Sequence, residues 1–195
     1  IHSFPTRRSS DLHCGSISAI STRPVWTKVS SAWPQWSVKH STRKRHKGSP
    51  MYKVYGDHKS GNCYKVKLML NLLGIPYQWV DVDILNGGTE TPEFLAKNPN
   101  GKIPVLELED GTCLWESNAI LNFLADGSEF LPTEPRLRTQ VLQWQFFEQY
   151  SHEPYIAVAR FIQLYLGMPQ DRLDEYTTSH KGGYKALKVM ERQLQ

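Results

Sequence analysis

Ser60 and Cys63 stand three residues apart at the head of an apolar run from about Asn62 to Leu73. In that run Val66, Leu68, Met69, Leu70, Leu72 and Leu73 form one helical face. A cysteine in the first turn of a helix has its thiol pKa lowered by the helix N-terminus and becomes reactive. A hydroxyl at the same place can hydrogen-bond a thiolate and favour the charged sulfur. Each residue also has a plain structural use. Serine caps helices, and free cysteine packs as a small buried residue. Ser-x-x-Cys parallels the Cys-x-x-Cys of thiol oxidoreductases with the outer thiol replaced by hydroxyl. That replacement removes intramolecular disulfide cycling but leaves exchange with an external thiol open. His58 precedes this stretch and reads as a solvated loop residue, and His152 and His180 show no ligand spacing, so no metal is expected.

The elements that must hold these residues begin at Met51. Tyr52-Lys53-Val54-Tyr55 is rich in strand formers and meets the turn signal Gly56-Asp57. The apolar helix after Ser60 ends at Gly74, a C′ residue, and Pro76 prevents continuation. Tyr77 to Ile84 alternates as a second strand, with Val80, Val82 and Ile84 on one side. Thr91-Pro92-Glu93 opens a short helix with proline at its first position, ending before Pro99. Ile103 to Leu108 reads as a third strand, joined by a two-residue Asp110-Gly111 hairpin to Thr112–Trp115. Proline at the head of that third strand removes a ladder donor, which a cis bond at an ordered turn would explain. Ser117 then caps a helix bearing Ile120, Leu121, Phe123 and Leu124.

The predicted order over residues 51–126 is therefore βαβαββα, an α/β unit. A linker at 127–134 leads to an all-helical stretch, 135–195. Leu137, Val141, Trp144, Phe147 and Tyr150 recur there at helical spacing, and Pro154 is expected to kink that helix. Trp144, Phe147, Tyr150 and Tyr155 make an aromatic stripe expected to pack mostly between domains, with one or two lining a pocket. Cys113, in a strand, is expected in the core. Two or three helices cannot close a bundle, so the helical part reads as incomplete.

Charge divides at the same point. The chain of 195 residues has 23 Lys+Arg against 19 Asp+Glu, a formal +4. Residues 1–50 hold nine of those bases and one acid, with eleven serines, leaving a net −4 from Met51 onward. A basic, serine-rich, acid-poor leader fits a transit peptide, and Arg43-Lys44-Arg45-His46-Lys47 fits a localisation or nucleic-acid patch. A third reading is that Ile1–Leu12, IHSFPTRRSSDL, is an in-frame translation of a sequencing-adapter oligonucleotide. On that reading 1–50 is a disordered, non-native leader without function, and it is the one adopted. No run approaches the ~18 apolar residues of a spanning helix. Three widely spaced cysteines exclude a disulfide scaffold and suit a reducing compartment, so a cytoplasmic location is expected.

Three segments resemble ordered signatures of the cytosolic glutathione transferases, bacterial theta- or beta-like members included. They are Ser60-Gly61-Asn62-Cys63, Asn98-Pro99-Asn100-Gly101-Lys102-Ile103-Pro104-Val105-Leu106 and Glu116-Ser117-Asn118-Ala119-Ile120. The resemblance covers 51–195 and lacks the family's last helices. It implies a thioredoxin-like N-terminal domain with a cis proline, then an all-helical domain, and glutathione as co-substrate. By resemblance Ser60 donates to the glutathione sulfur, with Cys63 as the competing catalytic residue through a mixed disulfide. Ile103, before Pro104, offers its backbone to the cysteinyl part as an added strand. Lys102 reaches the glycine carboxylate or is simply a solvated loop lysine. Glu116 and Ser117 hold the γ-glutamyl end: Ser117 and the helix amides suit its carboxylate, Glu116 its ammonium. The expected activity is attack of the bound thiolate on a small-molecule electrophile. Rivals are glutathione-dependent disulfide reduction or deglutathionylation, and a non-catalytic interaction domain of the same fold. The resemblance also implies a homodimer. No nucleic acid or membrane partner is expected, a basic leader that binds nucleic acid being the weakest rival.

Overall fold

A computed structural model describes residues 51–195, and the expectations for the leader fall outside them. The chain opens with β1 (Tyr52–Gly56), α1 (Gly61–Leu72) and β2 (Tyr77–Asp81). β1 and β2 run parallel with Tyr52 opposite Tyr77, so α1 is a crossover of the βαβ kind. Gly74 ends α1 in the left-handed region at φ +63°, a conformation that a side chain would strain. α2 (Pro92–Leu95) is capped by Thr91, whose hydroxyl accepts from the Phe94 N–H.

β3 (Val105–Glu107) and β4 (Cys113–Trp115) complete a sheet of order β2-β1-β3-β4, with both new pairings antiparallel. Two expectations shift here. The Ile103–Pro104 bond is cis, but the strand starts only at Val105, so Pro104 removes no donor from the ladder. The hairpin loop has three residues, Glu109–Gly111, closed by Leu108 N–H to the Thr112 carbonyl at 2.8 Å. Gly111 at φ +84° takes the left-handed position of such a loop. The second strand also stops early, at Asp81. Val82 is still buried, and its N–H bonds the Gly56 carbonyl at 2.9 Å.

α3 (Ser117–Ala125) packs with α1 on one face of the sheet. Val54, Val66, Leu70, Leu106, Ile120 and Leu124 form that core. On the other face Val82, Phe94 and Val105 form a smaller cluster, and Cys113 lies half-buried at its edge rather than inside.

The helical part comprises α4 (Pro135–Phe147), α5 (Glu153–Leu164) and α6 (Leu173–Leu194). The break expected at Pro154 takes the form of a π-helical turn, Glu148–His152, just before it. A wider turn makes room for the pyrrolidine ring without unwinding the helix, and the Glu153 N–H bonds the Glu148 carbonyl instead of the usual i−4 partner. It also shifts the helical phase, and this undoes the aromatic stripe. Trp144 and Phe147 meet edge-on at 5.2 Å, whereas Tyr150 is 85% exposed. α5 and α6 approach closely at Gly182, where a Cβ would collide with the Tyr155 ring. No helix among the described residues is long and apolar enough to cross a membrane.

Candidate functional site

Ser60 is the N-cap of α1, with extended backbone at φ −73°, ψ 124°. Its Oγ accepts from the Cys63 N–H at 3.3 Å. A hydroxyl has one proton and two lone pairs, so capping leaves the proton free for another acceptor. The structural and chemical uses of Ser60 therefore coexist. Cys63 fares differently. Its side chain is fully buried, and a Cβ on Gly56 would stand 2.7 Å from its Sγ. Burial pushes the thiol pKa up, and the Ser60 hydrogen bond only partly opposes this. The expected activation of Cys63 is therefore not seen: its thiol pKa is raised, and its buried sulfur has no path to a solvent-borne partner.

Glu116, just before α3, has φ 66° and ψ 110°, a conformation that costs a non-glycine residue about 1–3 kcal/mol. It leaves the Glu116 side chain exposed and turns the chain so that Ser117 begins the helix. Ser117 is thus the first helical residue rather than the cap, and α3 has no side-chain cap at all. The amides of its first turn remain available to an anion. Ser117 is 5% exposed, and its hydroxyl donates to Asn62 Oδ1 at 3.2 Å. Asn62 Nδ2 in turn donates to Glu153 Oε1 at 2.9 Å. Ser117 on α3, Asn62 on α1 and Glu153 on α5 are therefore linked.

Ile103 lies outside the register of β3, so its N–H and C=O are not committed to a neighbouring strand of the sheet. The Lys102 carbonyl accepts from Asn98 Nδ2 at 2.7 Å, which holds the turn before the cis bond. The Lys102 ammonium is exposed and makes no ion pair among the described residues. The open apolar groove along Phe146, Phe147 and Tyr150 includes none of these residues.

Several polar residues at this place carry no chemical signal of their own in the sequence. Asn62 could have been noticed as a polar side chain in the first turn of α1. Glu153 could not, because it is 91 residues away and only the π-helical turn sets its phase. Lys65 pairs with Glu148 at 2.7 Å and reaches Asn118 Oδ1 at 3.3 Å. The loop before Ser60 is also held from the helical part: Tyr165 donates to Asp57 Oδ1 at 2.5 Å, and Arg160 Nη2 to the Lys59 carbonyl at 3.1 Å. Among the described residues no group of three or more His, Cys, Asp or Glu is arranged to hold a metal ion.

A family model described as "Glutathione S-transferase, N-terminal domain" matches residues 60–126. The chain is 81% identical to a glutathione S-transferase of Pseudomonas fluorescens, whose crystal structure matches with a TM-score of 0.72 over 73% of this chain and 71% of that one. The glutathione transferase URE2P6 of Phanerochaete chrysosporium, solved with oxidised glutathione, is 29% identical. It matches with a TM-score of 0.61 over 73% of this chain and 67% of its own. Protein URE2 of Debaryomyces hansenii is 27% identical over 148 residues, which cover 71% of this chain and 48% of the relative. The chain spans about half the length of the curated relatives it matches first.

Proposed function

Because the chain belongs to the glutathione S-transferase family, we propose that its sheet-bearing domain, 51–126, binds glutathione and stabilises the thiolate for attack on an electrophile. The helical domain, 135–195, then forms the other side of the site. The observation that carries this reading is the Ser60 hydroxyl, placed at the N-terminus of α1, where capping uses its lone pairs and not its proton. A donor there strengthens as sulfur gains charge, so it favours the thiolate over the thiol. The buried Cys63 supports Ser60 over Cys63 as the working residue.

The peptide is held at three points. Ile103, preceding the cis Pro104, pairs its N–H and C=O with the cysteinyl backbone, in the manner of an added strand. The α3 amides take the γ-glutamyl carboxylate, joined by the Ser117 hydroxyl once its proton turns from Asn62 to the ligand, and the Glu116 carboxylate takes its ammonium. Lys102 meets the glycine carboxylate as a point charge. The thiol proton leaves to solvent, sulfur bonds to the electrophilic atom, and the leaving group departs with its electron pair.

A disulfide is one such electrophile. The attack then forms a new S–S bond and releases a thiolate, a reading favoured by the oxidised glutathione in the Phanerochaete chrysosporium transferase. As a homodimer or as a single chain, the chemistry asks the same of these residues.

Ser60→Ala and Cys63→Ala, assayed with a chloronitroarene and with a glutathione mixed disulfide, test the assignment. Loss of a hydrogen bond to a charged sulfur predicts a rate loss of about 10- to 100-fold for Ser60→Ala. Cys63→Ala is expected to retain activity with both substrates. Full activity in Ser60→Ala, or loss only in Cys63→Ala, overturns the assignment. Binding of glutathione without turnover of either substrate by the unaltered chain favours an interaction domain.

A further inference from the structure

We propose that Tyr165 and Arg160, at the C-terminal end of α5, are positioning residues that clamp the loop carrying the Ser60 hydroxyl. The inference rests on the reading that Ser60 stabilises the glutathione thiolate. The loop is short, Asp57 to Ser60, and its His58 and Lys59 side chains are exposed. His58 stacks on Trp79 at 4.5 Å, but that ring pair does not reach the Ser60 backbone.

What fixes it is polar. Asp57 Oδ1 accepts from the Lys59 N–H at 2.6 Å and from the Tyr165 hydroxyl at 2.5 Å. The Asp57 carbonyl accepts from the Ser60 N–H at 3.1 Å, so the carboxylate held by Tyr165 belongs to the residue that sets the Ser60 backbone. Arg160 adds a second hold one residue before Ser60, on the Lys59 carbonyl. The Lys59 ammonium lies 5.1 Å from the centre of the Tyr165 ring, and Phe161 stacks on the same ring at 5.2 Å. The Arg160 and Tyr165 hydrogen bonds join residues 101 and 108 positions apart and tie the locally bonded loop to α5.

Tyr165 acts through Asp57 and not as a second donor to sulfur. Its only proton is committed to the carboxylate, and burial, reinforced by that bond, pushes the phenol pKa up. The charged and titratable groups around the loop are Asp57, His58, Lys59, Cys63 and Arg160, with Asp81 on β2 beside His58 at 3.4 Å. A displacement of the Ser60 hydroxyl by about 1 Å is enough to cost on the order of 10²-fold in rate.

The test follows the thiol of bound glutathione by its thiolate absorbance across pH in the full chain. Tyr165→Phe keeps the ring, its Phe161 stack and its Lys59 contact, and removes only the hydroxyl. The thiol pKa is expected to rise toward the value in Ser60→Ala, with kcat/KM for a chloronitroarene about 10-fold lower. The double variant is expected to match Ser60→Ala alone, because both act through one hydroxyl. Asp57 separates geometry from charge. One oxygen takes both hydrogen bonds, so Asp57→Asn keeps the clamp and is expected to titrate like the unaltered protein, while Asp57→Ala is expected to follow Tyr165→Phe. If Ser60→Ala moves the titration and both Tyr165→Phe and Asp57→Ala leave it in place, the clamp is wrong and the Ser60 reading stands. If Ser60→Ala itself leaves the titration in place, both fall.

Discussion

Cys63 illustrates how a single residue's chemistry is settled by its surroundings. Its position in the first turn of α1 was legible in the sequence, and the helix field there lowers a thiol pKa. Its burial was not legible, because Gly56 on β1 and the core behind α1 create it. Desolvation pushes the thiol pKa up and outweighs the hydrogen bonds from Ser60 and the Asp57 backbone that lower it. Native protein treated with an alkylating reagent is therefore expected to leave Cys63 unmodified by intact-mass and peptide analysis. Of the two cysteines among the described residues, half-buried Cys113 reacts first, and Cys63 joins it only when denaturant opens the core. Rapid alkylation of Cys63 in folded protein would contradict both its burial and the choice of Ser60. Ser60 shows the reverse. Serine at a helix head reads as a cap, and it is one, yet capping uses only its lone pairs.

Among the elements, those whose period is local were legible and those shaped by distant contacts were not. Alternation marked β1, Gly74 and Pro76 marked the end of α1, and Thr91-Pro92 marked α2. The π-helical turn had no signature beyond Pro154, because Lys65 and Asn118, far away in sequence, decide where Glu148 must point. The sheet face covered by α2 carries a similar long-range feature. Glu107 on β3 accepts from Lys53 on β1 at 2.8 Å, Lys97 after α2 at 2.5 Å and the Tyr55 hydroxyl at 2.8 Å. These bonds, that from Lys53 foremost, hold its carboxyl at about 2 against an ordinary 4.5. A carboxylate whose folded pKa lies below its unfolded value stabilises the fold fully above about pH 4.5, and the contribution disappears as pH falls to about 2. Lys53 is 42% exposed, so solvent screening reduces the contribution to about 1–2 kcal/mol. Denaturant melts of Glu107→Gln are accordingly expected to show lower stability at pH 7, with the difference from the unaltered protein shrinking between pH 4.5 and 2. A difference that stays constant over that range rules out the carboxylate as its source.

At the scale of the whole molecule, the summed charge points away from the function. The formal +4 combines a +8 leader with a −4 remainder, and in the proposed pose the positive charge that meets glutathione is local, at Lys102 and the head of α3. The junction of the sheet-bearing and helical parts is likewise polar where apolar packing was expected. α4 has no fully buried residue; Asn118 and Asn122 meet it at Gln145, and Lys65 meets Glu148 just past its end. Lys65 and Glu148 are 21% and 30% exposed, with Asn118 bonded to both. Such a pair is screened less than a surface ion pair, and deleting one partner leaves the other poorly solvated. Lys65→Ala and Glu148→Ala are each expected to cost about 1–2 kcal/mol, and the double variant less than their sum by about 1 kcal/mol. The same junction carries Asn62 between Ser117 and Glu153, so loosening it displaces the group that orients the Ser117 hydroxyl. Weaker glutathione binding by calorimetry is therefore expected in both single variants, although neither residue touches the peptide in the proposed pose. Additive stability changes with unaltered affinity would mean that the junction is a surface contact only. A coupling energy that appears together with lost affinity makes it the route by which the helical part shapes the glutathione site.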